Sequence, residues 1–118
     1  MRRAALLLSL VAITTLAGMT VASAAVAGTV SIAYNATTMH FHGKVRSADP
    51  ECRVGRAVKV FKVTSAGRTL QGKTLSVAKG VWKVDVMHAS GKYIAVSPKQ
   101  KIMSTTCARA VSPIVDVM

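Results

Sequence analysis

Aromatic residues are scarce in this chain: phenylalanine, tryptophan and tyrosine together make up 4% of its 118 residues. Proteins that bind single-stranded nucleic acid stack bases on aromatic side chains, so this composition argues against a domain that reads nucleic-acid sequence. Acidic residues are also few, four against sixteen basic ones, and a paired-carboxylate mechanism would need two of them to meet in one cleft. The four acids are Asp49, Glu51, Asp85 and Asp116.

Several motifs that carry chemistry are missing as well. The sequence has no G-x-S-x-G turn to present a nucleophilic serine, no glycine-rich loop to cradle phosphate groups, and no C-x-x-C pair with the spacing of a metal site. We therefore expect no cofactor and no catalytic residues, and we predict that the protein is not an enzyme.

The N-terminal segment has the three parts of a secretory signal peptide. Two arginines follow the initiator methionine, a nearly unbroken apolar run comes next, and small residues end the segment. This pattern predicts a signal peptide over residues 1–24, with cleavage after Ala24 or, alternatively, after Ala27; an uncleaved membrane anchor is the other interpretation. Residues 28–118 then form one domain, secreted to the extracellular space or associated with the cell envelope.

Cys52 and Cys107 are the only cysteines of the chain. In an exported protein, two cysteines indicate one disulfide bond. The chain-entropy formula gives such a bond roughly 4 kcal/mol of stabilisation, which matters because so small a domain buries little surface. Two free thiols in a reducing compartment are the alternative interpretation.

The charge of the exported part is strongly one-sided. Without the two arginines of the signal peptide, 14 basic residues face four acidic ones, a net charge of +10. Such a surface attracts polyanions, including wall polymers, acidic polysaccharide and anionic head groups, although it also serves for general solubility. Lysines on the outer strand positions discourage edge-to-edge pairing, so we expect a monomer. The candidate anion contacts are Lys44, Arg46, Lys59, Lys62, Lys83 and Lys92.

The exported region is typical of short β-strands separated by turns. Apolar and β-branched residues alternate with polar ones, and Gly or Pro marks most of the turns. This pattern predicts an all-β, seven-stranded antiparallel Greek-key sandwich. The predicted strands cover 29–34, 41–46, 57–63, 81–86, 93–96 and 114–117, with a weaker pattern over 69–77.

One strand allows its buried face to be assigned. Alternation over residues 81–86 places Trp82 and Val84 on one face and Lys83 and Asp85 on the other. A small domain with a single tryptophan needs its large apolar area in the core. We therefore expect Trp82 to be buried, the alternative being an exposed platform for a ligand.

Six short motifs follow one another along these strands and turns. They are Phe41-x-Gly43-x-Val45, Cys52, Arg56-x-Val58-x-Val60, Gly80-x-Trp82-x-Val84, Gly91-x-Tyr93-x-Ala95 and Cys107. Together they resemble the transthyretin-like or carboxypeptidase-regulatory-like β-sandwiches of small secreted bacterial proteins, actinobacterial ones especially. The resemblance implies a prealbumin-like or immunoglobulin-like sandwich, used in larger proteins as an accessory, stalk or binding module.

One branch of that group hydrolyses 5-hydroxyisourate, and this chain departs from it. Those enzymes end in Tyr-Arg-Gly-Ser, whereas this chain ends in Ile114-Val115-Asp116-Val117-Met118. Their His and Arg constellation has no clear match here either. We therefore carry over no catalytic residue, since a shared fold alone does not assign a function.

His40 and His42 are the sharpest local candidates for a metal site. Residues i and i+2 of a strand point to the same face, so the two imidazoles would share a metal ion if His88 supplied a third ligand from a neighbouring strand. No acid or cysteine is placed to complete the set, and the pair is interpreted as exposed histidines opposite buried Phe41.

Taken together, the sequence favours a secreted, non-enzymatic β-sandwich. We expect it to bind an anionic envelope surface or a protein partner through basic side chains. A His-based metal-binding protein or small metal-dependent enzyme is the second hypothesis, and a purely structural module is the third.

Overall fold

The computed structural model describes residues 24–118, and β-strands dominate this part of the chain. Two short 3-10 turns, Pro50–Cys52 and Ala78–Gly80, interrupt the strands. The strands are β1 Gly28–Val30, β2 Ala33–Asn35, β3 His40–Ser47, β4 Ala57–Thr64, β5 Gly67–Leu75, β6 Val81–Asp85, β7 Gly91–Ser97, β8 Gln100–Ile102, β9 Thr105–Cys107, β10 Ala110–Val111 and β11 Val115–Val117. All pairings between these strands are antiparallel. The predicted all-β class with antiparallel sheets is therefore confirmed.

The first sheet is built on β3. Strands β1 and β2 both pair with one edge of β3, and β6 pairs with the other. Gly28 lies opposite Ser47, and Asn35 lies opposite His40. These pairs share one register, so β1 and β2 follow each other along β3 as two parts of one extended segment.

The second sheet has the order β5–β4–β7, with both β10 and β11 on the far edge of β7. A register shift between β4 and β5 falls at Val60 and Phe61, which is the irregularity of a β-bulge. Strands β8 and β9 form a separate hairpin.

A serine lies at each break in these edge segments. Between β1 and β2, the Ser31 hydroxyl accepts a hydrogen bond from the Lys44 backbone N–H at 3.0 Å. Between β10 and β11, the Ser112 hydroxyl accepts one from the Ala95 backbone N–H at 2.9 Å. Each hydroxyl replaces a carbonyl of the sheet ladder, as short polar side chains do when they bond to nearby backbone. The central strands β3 and β7 thus keep their donors satisfied across the breaks.

The core lies between the two sheets. Phe41 and Trp82 from the first sheet and Val60 and Tyr93 from the second are each at most 2% exposed and belong to one apolar cluster. The ring centroids of Phe41 and Tyr93 are 4.7 Å apart, a favourable distance for aromatic packing. The predicted burial of Trp82 is confirmed, and the two facing sheets are consistent with a β-sandwich.

The predicted disulfide is also confirmed. Cys52 and Cys107 are bonded, with their Cα atoms 5.6 Å apart, and both are fully buried. The bond ties the Pro50–Cys52 turn to β9. Val26 lies alongside, donating its N–H to the Thr106 carbonyl and accepting from the Ala108 N–H, both at 2.8 Å.

Almost all of the predicted signal peptide, residues 1–23, lies outside the described residues. Among residues 24–118, no helix has the length and apolar character needed to cross a membrane.

Candidate functional site

The outer face of the first sheet carries several of the predicted contact residues. His40, His42, Lys44 and Arg46 alternate along β3 with residues that enter the core, so they share the solvent side. Lys83 of β6 lies opposite His42 in the antiparallel register and therefore joins the same face. Three of the six predicted anion contacts lie here.

The other three predicted contacts lie elsewhere. Lys59 and Lys92 point outward from the second sheet, and Lys92 is engaged with Asp116 at 3.0 Å. Lys62 differs from the expectation of an outward side chain, because it lies opposite buried Tyr93 in the register. Its Nζ is 6.0 Å from the centre of that ring, a cation–π distance. The six residues thus do not form one surface.

Arg46 is the predicted contact that meets other cations in a concave site. A cavity of about 340 Å³ opens at the end of β3. We call it the Arg46 cavity, and its lining residues are Val45, Arg46, Ser47, Arg53 and Lys79. Three of the five carry positive charge and none is acidic.

Arg53 is placed in this cavity by the turn that precedes it. The Asp49 carboxylate accepts a hydrogen bond from the Glu51 N–H at 2.9 Å, which caps the Pro50–Cys52 turn at its start. Cys52 fixes the other end through the disulfide. Arg53 then donates from Nε to the Ser47 carbonyl oxygen at 2.8 Å. This bond fixes the guanidinium next to the end of β3.

Lys79 reaches the cavity because its own turn packs directly against β3. Lys79 and Gly80 both have positive φ, 64° and 79°. A Cβ at Gly80 would lie 2.1 Å from the Val45 carbonyl oxygen, so only glycine allows this approach. The Gly80 N–H donates to the Val77 carbonyl at 2.8 Å and closes the turn. Lys79 is thereby held beside residues more than thirty positions earlier in the chain.

No described carboxylate neutralises the three cations. Within residues 24–118 the only ion pair is the one on β7 and β11, far along the chain from Arg53. The two acids nearest to Arg53 in sequence are used locally: Asp49 caps the turn, and Glu51 accepts a hydrogen bond from the Thr105 hydroxyl. Arg46, Arg53 and Lys79 therefore have no ion-pair partner among residues 24–118.

The chemistry of this lining suits an oxyanion. Guanidinium groups donate paired N–H groups to phosphate, sulfate or carboxylate oxygens, and a lysine ammonium adds a mobile point charge. A second, more open cavity of about 400 Å³ shares Arg46 and Ser47 with the first and continues along β1 past Gly28 and Thr29. The two together form a track that is longer than a single anion requires.

Arg56 forms a second cationic site, and it is closed. Its side chain is 1% exposed. Nη1 donates to the Cys52 carbonyl at 3.4 Å, and Nη2 donates to the carbonyls of Pro98 and Ala108 at 3.2 and 3.0 Å. Burial away from water lowers the pKa of the guanidinium from its ordinary value. Arg56 joins three loops of the fold and presents no N–H group to solvent.

The structure brings two of the three predicted metal ligands together. The imidazole rings of His40 and His42 have centroids 5.6 Å apart and meet edge to face. His88 lies in the connection between β6 and β7 with a φ of 54°, and it is exposed. Among residues 24–118, no three His, Cys, Asp or Glu side chains lie close enough to hold a metal ion.

Sequence reasoning found Arg46 but missed Arg53 and Lys79. Arg53 follows the predicted disulfide cysteine directly, and Lys79-Gly80 marks a turn, so each was visible as a local feature. Their meeting depends on contacts between distant segments. No family model, no curated protein and no solved structure matches the chain.

Proposed function

We propose that this protein is an exported, non-enzymatic β-sandwich module that binds an anionic polymer of the cell envelope through the Arg46 cavity. The observation that carries this proposal is the convergence of Arg46, Arg53 and Lys79 on one cavity with no acidic lining residue. A polymer with repeated phosphate, sulfate or carboxylate groups would place one group there and the next along the adjoining cavity beside Gly28.

Two further features support export. The segment at residues 1–24 has the pattern of a signal peptide. The Cys52–Cys107 disulfide is of a kind that persists in oxidising compartments. A small domain that works outside the cell gains from such a bond, because it cannot bury a large core.

The seven-stranded Greek-key arrangement is part of the same proposal. If β1 with β2 and β10 with β11 each count as one interrupted strand, and the β8–β9 hairpin is an insertion, seven strands remain in two sheets. The motif residues Phe41, Trp82 and Tyr93 meet in one core, in keeping with a transthyretin-like or carboxypeptidase-regulatory-like module.

The experiment is a binding titration of the disulfide-bonded protein with polyphosphate and with polygalacturonate across a salt series. The test variant is Arg53→Gln with Lys79→Gln. Its matched control is Lys99→Gln with Lys101→Gln, which also removes two positive charges, here from exposed positions around β8. We expect the test variant to bind about tenfold or more weakly, because a hydrogen bond to a charged group contributes roughly 1.5–3 kcal/mol, and the control to bind nearly as the parent does.

The contrary results are distinct. If both variants lose the same affinity, the binding is diffuse and the cavity has no special part in it. If the parent protein fails to bind either polymer at low salt, the charge has no polyanionic ligand, and a protein partner or a structural role becomes the better hypothesis.

A further inference from the structure

A second concave surface lies where the edges of the two sheets meet. Among residues 24–118, β5 pairs with β4 alone and β6 pairs with β3 alone, so each has an edge without a paired strand, and the two strands contact each other. Leu75, Val77 and Val81 lie at this seam and are 59%, 58% and 38% exposed. Contiguous exposed apolar groups in a small protein mark an interaction site.

Two cavities lie beside these apolar residues, and Thr74 and Leu75 line both of them. One, of about 450 Å³, lies over the outer face of β4 and β5 and is lined by Ala57, Lys59, Lys73, Thr74 and Leu75. The other, of about 440 Å³, continues over the seam and is lined by Thr74, Leu75, Val77, Val81, Trp82 and Lys83. We call the two together the Leu75 groove. Both volumes fall in the range of small-molecule sites, about 300–1,000 Å³.

The charge around the groove has one sign. Lys59 and Lys73 lie directly opposite each other in the antiparallel register, an arrangement that destabilises a sheet because like charges repel. Lys83 lines the far end. No carboxylate lines either cavity, and the only ion pair within residues 24–118 lies on other strands. A negative group between Lys59 and Lys73 would remove the repulsion and complete the site.

We propose that the Leu75 groove binds a single anionic amphiphile, a molecule with an unbranched apolar chain and one carboxylate, sulfate or phosphate head group. The head group lies between Lys59 and Lys73, and the chain covers Leu75, Val77 and Val81. The two adjoining cavities are concave, and this shape fits a single ligand molecule. This site shares no lining residue with the Arg46 cavity, so it goes beyond the function proposed above.

The protein carries its own reporter for this site. Trp82 is the only tryptophan, is 1% exposed and lines the second cavity. The experiment is a titration of the disulfide-bonded protein with dodecanoate below its micelle concentration, followed by Trp82 fluorescence. We expect a saturable change with dodecanoate, no change with acetate, and at least tenfold weaker binding of dodecyl maltoside, which has the same chain length but an uncharged head group.

Matched variants then locate the ligand. Leu75→Ser and Lys73→Gln should each weaken dodecanoate binding about tenfold. Leu70→Ser is the control for the first, because Leu70 lies on the same strand, is 48% exposed and lines neither cavity. Arg53→Gln tests whether dodecanoate binds in the Arg46 cavity instead. It should leave dodecanoate binding unchanged while it weakens polyphosphate binding. Each of the two proposals can therefore be contradicted without affecting the other.

Five results would overturn this proposal. Dodecanoate could leave Trp82 fluorescence unchanged, or Leu70→Ser could weaken binding as much as Leu75→Ser does. Lys73→Gln could have no effect, which would leave the head group without its cation. Binding could instead appear only with phosphatidylglycerol vesicles, or only with an acidic peptide that adds to the free edge of β5, and either would make the groove a membrane or protein contact.

Discussion

Two cationic regions lie near the Pro50–Cys52 turn, and they use their N–H groups differently. At Arg56 three backbone carbonyl oxygens accept from the guanidinium, and the side chain is shut off from water. At the Arg46 cavity the Arg53 guanidinium gives one bond to Ser47 and faces an open space with two other cations. The number of positive charges therefore does not distinguish the two regions, whereas the availability of their N–H donors does.

The two regions also differ in the free energy that is needed to desolvate their charged side chains. Burial removes water from the guanidinium of Arg56, which disfavours its charged form and lowers its pKa. Hydrogen bonds to the protein must then replace those to water. The cations of the Arg46 cavity line an open space instead. We conclude that Arg56 serves the fold, and that Arg46, Arg53 and Lys79 are free to serve binding.

Removing the disulfide should have the largest effect, because it holds the Pro50–Cys52 turn, which directly precedes Arg53 and accepts a hydrogen bond from Arg56. For Cys52→Ser with Cys107→Ser we expect the free energy of unfolding to fall by about 4 kcal/mol, since the bond closes a long loop. Urea denaturation of the oxidised parent and of the double variant measures this change. A loss below about 1 kcal/mol would show that the Arg56 hydrogen bonds, at roughly 1 kcal/mol or more each, already hold these loops.

Arg56→Leu and Arg53→Leu should distinguish the buried Arg56 site from the Arg46 cavity by their different effects on stability and binding. Arg56→Leu leaves the carbonyls of Cys52, Pro98 and Ala108 without their donors, so we expect a loss of about 3 kcal/mol in the free energy of unfolding. Arg53→Leu should cost only about 1 kcal/mol, because Arg53 is partly buried and loses a single hydrogen bond, yet it should weaken polyphosphate binding. Urea denaturation and a binding titration of both variants make the test. Equal destabilisation by the two substitutions would contradict the distinction.

The core could be predicted from the sequence because it depends on a local rule. Period-two alternation places every second residue on one face, and Phe41 and Trp82 lie where that rule puts them. The β8–β9 hairpin was not predicted, because its turn uses Met103 at a φ of 56° where a glycine or asparagine would have marked it. The breaks at Ser31 and Ser112 were also hidden, since serine is common in many settings.

The Arg46 cavity could not be predicted because it depends on long-range packing. Arg46, Arg53 and Lys79 come from three segments, and no spacing rule connects them. The contact that joins them is the approach of Gly80 to the Val45 carbonyl, and a glycine in a predicted turn does not reveal which strand it touches. The same limit applies to Lys62, whose place beside Tyr93 follows from the pairing of β4 with β7.

The choice of cleavage site should change the free energy of unfolding less than the loss of the disulfide or of Arg56 does, and it acts on the segment that Arg56 contacts. Val26 makes two backbone hydrogen bonds to the segment around Cys107, both at 2.8 Å, and the neighbouring Ala108 carbonyl is an acceptor for Arg56. A chain that starts at Gly28 lacks both bonds, so we expect it to unfold about 2 kcal/mol more easily than one that starts at Ala25. Urea denaturation of the two chains tests this, and the mass of the exported protein should correspond to cleavage after Ala24. Equal stability of the two chains would show that the Val26 bonds contribute nothing, and cleavage after Ala27 would then suit the fold equally well.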